Sequence, residues 1–287
     1  LARAPGIAMT YRSIRTVTRV SPMPGHGILR PFPSPSLPHL DPFVFLDTAA
    51  PVQLQQPIYV GPHAHRGVQP VSLLFRGRIA HRDSLGHDRE VRSGGMQWLV
   101  AGAGALHEER LHGDEDGWFH MAQLWVNVPR ARKMDPPEHH AVDGTHIPTV
   151  SAGPGATARV YAGTLAGVTG PAPMPTPVLI AHVRLEAGGR LHLPAPSGWT
   201  AAFTVVRGEA SVVGGEGLSP GATVVFHDDG THLRAASAEG AELLLMLGEP
   251  IGEPVVFGAG FVMTTAAEIE QAHADLARGA MGTLRPS

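Results

Sequence analysis

Glycine and proline together make up more than a fifth of this 287-residue chain, 35 and 27 residues respectively, and no other feature constrains the fold as strongly. Residues that loosen or break helices at that density leave little room for long helices, whereas short strands joined by tight turns use both freely. The hydrophobic pattern agrees. Between His120 and Val128, the residues Ala122, Leu124, Val126 and Val128 fall on one face and Met121, Gln123 and Trp125 on the other, a period of two that predicts a strand. Short apolar runs recur at Phe43 to Leu46, Val71 to Phe75, Met96 to Val100, Leu179 to Leu185, Ala202 to Val206, Ala222 to Phe226 and Leu243 to Leu247. Turn residues such as Gly86, Gly94-Gly95, Gly188-Gly189 and Pro220-Gly221 punctuate them. An all-β sandwich or barrel is the expected class.

A single helix is predicted, near the C-terminus. Thr265-Ala266-Ala267-Glu268 has the spacing of a capping box, Ile269, Ala272, His273 and Leu276 share one face, and Gly279 can close the end. The Gly- and Pro-dense stretch from 148 to 177 reads as the connection between two halves. The halves themselves look related: Leu74-Phe75-Arg76-Gly77, then Ser93-Gly94-Gly95 and His107, are echoed by Val205-Val206-Arg207-Gly208, Ser219-Pro220-Gly221 and His232.

Composition excludes several functions. There is no cysteine, so disulfides, thiolate metal sites, iron–sulfur clusters and cysteine nucleophiles are all absent. With 22 basic and 25 acidic side chains the formal charge is −3, which gives no electrostatic grip on nucleic acid or anionic lipid. No run of eighteen apolar residues marks a membrane-spanning helix, and a cytoplasmic location is the default expectation. Any metal must sit on nitrogen and oxygen, for which 17 histidines are available.

Two pairs stand out, His63-Ala64-His65 and His107-Glu108-Glu109. In a strand, residues two apart point to the same side about 7 Å apart, so each pair aims two donors in one direction. Were the two segments neighbours, three imidazoles and the Glu109 carboxylate would converge while Glu108 points away. Such a set suits Fe(II), Mn(II), Ni(II), Cu(II) or Zn(II). Spacing alone does not decide the matter, because about one His-x-His is expected by chance at this histidine content. Exposed or structural histidines remain the plain alternative.

The surrounding segments are more specific. GPHAHRG from Gly61, HRDSLG from His81, VRSGGMQWLVAGAGALHEE from Val91 and QLWVNVP from Gln123 follow one another in order, and PFVFLD (Pro42 to Asp47) precedes them. With the tail from Gly248 to Gly279, these closely resemble the pirin family of metal-binding bicupins, over residues 12 to 280 or so. The resemblance implies two cupin β-barrels with a short C-terminal helix: residues 10–150 as an N-terminal metal-binding cupin, and 151–287 as a C-terminal cupin without metal that carries the helix. It implies His63, His65, His107 and Glu109 as ligands of one divalent ion per chain, with Fe(II) the expected metal. A count back from Gly208 sets Pro196 and Pro194 against His65 and His63, and Arg234 against Glu109, which would leave the second half without ligands. The chain departs from the family pattern at Thr48, Gln69 and Pro70, departures expected to alter the pocket wall and the residues supporting it.

Other polar residues read more plainly. His81 and His87 flank a turn and are expected at the surface, as are His139-His140, and Asp114-Glu115-Asp116 reads as a solvated loop. One of Gln97 and Trp98 should face inward, with Trp98 as packing, and His120 and Gln123 are candidates for the cavity wall.

Two functions follow from the resemblance. One is a metal-dependent dioxygenase of the quercetin 2,3-dioxygenase type, taking a flavonol and O₂, with Glu109 as catalytic base. The other is a metal- or redox-dependent regulator that acts through a protein partner, without catalysis and without direct contact to nucleic acid.

Overall fold

Strands form where side chains alternate, and the computed structural model, which describes residues 9–23, 27–212 and 215–284, is built almost wholly from them. In the first half these are β1 (Ile14–Thr18), β2 (Ile28–Phe32), β3 (Phe43–Ala49), β4 (Ile58–His65), β5 (Val68–Arg76), β6 (Arg78–Asp83), β7 (Asp88–Arg92), β8 (Met96–Val100), β9 (Ala105–His112), β10 (Trp118–Asn127) and β11 (Glu138–Val142). A large sheet of order β11-β8-β5-β10-β3-β2 faces a smaller one of order β4-β9-β6-β7. Leu74, Ile79, Val91 and Phe119 pack between the two layers.

The second half repeats the plan with β12 (Thr149–Gly153), β13 (Ala156–Ala162), β14 (Val178–Leu185), β15 (Arg190–Pro194), β16 (Thr200–Gly208), β17 (Thr223–Phe226), β18 (His232–Ala236) and β19 (Ala241–Gly248). Its large sheet has the order β1-β17-β16-β19-β14-β13-β12, and β15 pairs with β18 as a second, two-stranded layer. A three-residue hairpin, β20 (Val256–Gly258) and β21 (Phe261–Met263), leads into α1 (Ala266–Ala277). The architecture is all-β with one short C-terminal helix, as the patterning predicts. The sheets do not close, so each half is a sandwich of cupin type rather than a complete barrel.

The stretch expected to connect the halves, 148–177, is half strand: β12 and all of β13 lie in it. Residues 156–162 alternate as a strand requires, and Gly153 and Gly155, both at positive φ, turn the chain between β12 and β13. Glycine density marks a hairpin there, and beyond Ala162 a further short ladder pairs Thr164–Leu165 with Val168–Thr169 before the chain becomes irregular.

The two large sheets stack on one another. Leu46, Val71, Leu73, Ala122, Leu124 and Val126 from the first half meet Ile180, Ala202, Leu244 and Met246 from the second in one buried cluster. Each fully buried aliphatic side chain is worth about 1.5–3 kcal/mol relative to exposure. One face of β10 therefore belongs to the contact between halves, and the opposite face, with Gln123 and Trp125, looks into the first sandwich.

Both chain ends cross over. β1 adds to the second half's sheet through β17, while β21 and α1 return to the first half. The helix starts with the expected capping box: Thr265 Oγ1 accepts from the Glu268 N–H, and the Glu268 carboxylate accepts from the Thr265 N–H. Ala272 is fully buried against Ala64 and Phe261, with Ile269 and Leu276 beside it. Arg66 pairs with Asp275 at 2.7 Å, both buried, and the buried Lys133 ammonium donates to Gly67 O, Asn127 Oδ1 and Val262 O. These bonds fix the C-terminal segment over the end of β4, where the first histidine pair lies.

Candidate metal centre

β4 and β9 are antiparallel neighbours, and the register places His63 directly opposite His107. A register shift between His107 and Glu109 brings Glu109 opposite Val60. His63, His65 and His107 turn into the first sandwich with ring centroids 4.1 to 5.0 Å apart. One nitrogen from each lies within 4.8 Å of the others. Glu108 points the other way, as the alternation predicts, accepting from Tyr59 Oη at 2.7 Å and Arg82 at 3.0 Å.

The hydrogen bonds to the far side of each ring set the rings' roles. His63 Nδ1 lies 2.9 Å from Gly61 O, and His65 Nδ1 lies 3.0 Å from Gly260 O. A carbonyl can only accept, so Nδ1 carries the proton in both rings and Nε2 presents a lone pair. Gly260 is at positive φ, and a Cβ there would overlap the Ala64 carbonyl, so its backbone can approach His65 only because it is glycine. His107 Nδ1 is 3.4 Å from His81 Nδ1, and His81 Nε2 in turn is 3.0 Å from Asp83 Oδ2. His81 and His107 thus meet through their Nδ1 atoms, with Asp83 accepting from His81 Nε2. His107 Nε2 is buried and has no partner. An orphaned buried imidazole nitrogen is costly by itself and is what a cation would satisfy. Burial, reinforced by the neighbouring imidazoles, pushes the His65 pKa down to about 3 and that of His107 well below its usual value, so both rings are neutral and able to ligate.

Glu109 is buried beside this cluster but is not within the three-histidine group. Its Oε1 accepts from Gln97 Nε2 at 2.5 Å and lies 4.0 Å from both His107 Nδ1 and His81 Nδ1. Gln97 thus faces inward and Trp98 packs between the halves, as expected. Ser72 Oγ donates to Gln123 Oε1 at 2.7 Å and sits 3.5 Å from Gln97 Nε2, so Gln123 belongs to the same polar wall. Trp125 completes it, edge-on to His65 at 4.9 Å and stacked on Phe45 at 4.4 Å. The alternation by itself marks Trp125 only as packing, although its place on the Gln123 face carries the signal.

Several expectations are corrected. His81 is 1% exposed rather than on the surface, because β6 runs beside β9 and points it at His107. Burial opposes its charged form, and the bonds to Asp83 and Glu109 outweigh that, raising its pKa. His87 is partly exposed, and its Nδ1 lies 2.9 Å from Asp83 Oδ2, the oxygen that His81 also contacts, and 3.2 Å from Oδ1. His139 is buried, stacked on His81 at 3.8 Å, because the segment read as exposed becomes β11 on the edge of β8. His140 is partly exposed against Trp98. His120 does not line the metal cavity: it shares the Ala122 face and sits between the halves, against Phe75. Asp114 is more than a solvated residue, since it accepts the Asp116 and Trp118 N–H groups and pairs with Arg76.

Thr48 and Gln69, expected to alter the pocket wall, face the second half instead. Thr48 lies opposite Ala122, and Gln69 reaches the Pro173 carbonyl at 3.5 Å. Of the three departures only Pro70, paired with Trp125, lies on the inward face.

The second half holds no such cluster among the described residues. Pro194 lies opposite His232 in register, but both are on the outer side of their layer, where His232 stacks on His192 and Tyr11 covers the pair. The inward positions next to them are Leu193, Ala195, Leu233 and Ala235, all part of an aliphatic core.

Residues 25–126 match the pirin family model and residues 180–282 match that of the pirin C-terminal cupin domain. The chain is 36% identical, over 84% of its length and 86% of the relative's, to a Pseudomonas aeruginosa protein provisionally named a quercetin 2,3-dioxygenase. It is 32% identical to Homo sapiens pirin, over 88% of this chain and 86% of that one. A crystal structure of quercetin 2,3-dioxygenase from Acinetobacter baumannii superposes with a TM-score of 0.89 at 31% identity, covering 96% of this chain and 99% of the other.

Proposed function

The chain belongs to the pirin family, and from that premise we propose that it is a metal-dependent dioxygenase of the quercetin 2,3-dioxygenase type, acting on a flavonol with O₂. The observation that carries the reading is the convergence of three imidazoles, those of His63 and His65 each held through Nδ1 by a backbone carbonyl, beside a buried carboxylate. His63, His65, His107 and Glu109 are the residues that would hold one divalent cation, Fe(II) in the first instance, with Mn(II), Ni(II), Cu(II) and Zn(II) compatible with the same donors. When bound, such a cation would supply Lewis acidity toward the substrate oxygen and a path for electrons to O₂.

The chain's own part is positioning and proton handling. Glu109 accepts the proton of the flavonol 3-hydroxyl. Gln97 holds one of its oxygens, so the carboxylate is oriented without being locked among the imidazoles. Trp125 and Phe45 give the cavity an aromatic wall against which a planar substrate can lie. Asp83 and His81 support the His107 ring on its Nδ1 side.

The test is elemental analysis of the purified protein, followed by O₂ uptake and loss of flavonol absorbance with the native metal restored. Turnover that falls about 10²- to 10⁴-fold in Glu109→Gln with metal retained supports the base role. Unchanged turnover removes it. If no flavonol is consumed, and a protein partner instead binds more tightly in one oxidation state of the metal, the regulatory reading replaces this one.

A further inference from the structure

A second cavity lies outside the metal centre, in the seam between the two halves. Its volume is about 440 Å³, within the range of small-molecule sites. Its charge is one-sided: Arg76, Arg159, Arg184 and Arg207 line it against the single carboxylate of Glu242. Arg207 is matched by Glu242 at 3.2 Å, and Arg76 by Asp114 at the edge. Arg159 and Arg184 pair with no carboxylate among the described residues. Arg159 spends one terminal nitrogen on the Gly144 carbonyl, while its buried Nε has no partner. The buried Tyr161 hydroxyl on the same wall is also without one.

Uncompensated guanidinium groups beside unsatisfied donors are what an anion-binding site presents before its anion arrives. The first half supplies the other wall, and there it is aromatic: Phe75 and Trp118, with the Arg76 guanidinium 5.8 Å from the Trp118 ring. A planar fork for a carboxylate on one side and ring faces on the other select a particular shape of ligand.

We propose that this inter-half cleft binds a small aromatic carboxylate, its anionic head on Arg159 and Arg184 and its ring against Phe75 and Trp118. The site draws on both halves, so its occupant would brace the seam. It shares no residue with the metal centre, because Phe75 and His120 lie on the face of β5 and β10 opposite Ser72 and Gln123.

Isothermal titration of the metal-loaded protein with sodium benzoate, at ionic strength balanced with chloride, tests the proposal, with inorganic phosphate and benzyl alcohol as parallel probes. The expected result is saturable binding of one benzoate per chain with no comparable heat from the other two. The Arg159→Gln, Arg184→Gln double variant should weaken it at least tenfold at unchanged metal content. Arg184 is exposed, so Arg184→Gln alone should fold and still weaken binding several-fold. Absence of saturable benzoate binding would overturn the proposal, as would phosphate binding without benzoate. So would benzoate binding that survives in both arginine variants but vanishes in His107→Ala, since that places the ligand on the metal.

Discussion

The two halves run the same backbone plan to opposite ends. In each, the strand before the Gly-rich turn exchanges a pair of backbone bonds with it, Leu74 with Gly94 and Gly95 in the first, Val205 with Gly221 and Ala222 in the second. In each, an antiparallel pair then closes the smaller layer. In the first half the inward cross-strand pair is His63 and His107, with Ser72, Gln97, Glu109 and Gln123 beside it. In the second half it is Leu193 and Leu233, amid Phe203, Val205, Val224 and Leu243. The same scaffold supports a polar cradle that could hold a cation or a packed aliphatic interior. The difference teaches that one backbone plan accepts either a cluster of mutually bonded polar side chains or an aliphatic core at the same inward positions, provided the polar groups find partners.

The largest expected effect is on metal content. His107→Ala should reduce it from one ion per chain to near zero by elemental analysis, with O₂ uptake lost alongside. His232→Ala, at the sequence-aligned position of the second half, should change neither. Next comes stability. Leu233→Ala removes a fully buried side chain from the aliphatic core and should cost about 2–5 kcal/mol in denaturant unfolding while the metal stoichiometry stays at one.

Acid should separate the halves further. Burial holds His65 and His139 at about 3 and His120 at about 4, against 6.5 in the unfolded chain. For a ring whose folded pKa is lowered, the unfolded state takes up the proton first. Stability is thus full above about pH 6.5 and is lost as pH falls from there toward 3. All three residues belong to the first half, so hydrogen exchange of metal-free protein between pH 7 and pH 5 should show β4, β9 and β11 losing protection before β14 and β19. Equal loss in both halves would contradict this account. The smallest effect is expected of Gln97→Leu, which frees Glu109 Oε1: turnover should fall about tenfold, or 1.4 kcal/mol in barrier, with metal retained.

Much of the fold and of the metal centre is legible in the order of residues. The capping box of α1, the alternation in β10 and the divergence of Glu108 from its neighbours all follow from local periodicity and local chemistry, which adjacent residues define among themselves; that Gln97 rather than Trp98 faces inward is left open at that level. Distant neighbours are what sequence reasoning misses. Polar character and a nearby proline suggest exposure for His139, but exposure depends on which strand lies alongside, and β8 and β6 are some forty and sixty residues away in sequence. His120 shares its strand with Gln123, and only the stacking of the halves decides which face of that strand looks where.

The sequence by itself determined an all-β chain in two related halves, with its donors gathered in the first, because strand period and residue type are properties of short segments. The tertiary structure alone decided which second-half residues stand where the donors would be. Counting along the chain points to Pro194, Pro196 and Arg234, and the inward set is Leu193, Ala195, Leu233 and Ala235. Side chains alternate across a strand with a period of two, so an offset of one residue, invisible in a count that crosses turns of unequal length, exchanges the inside for the outside.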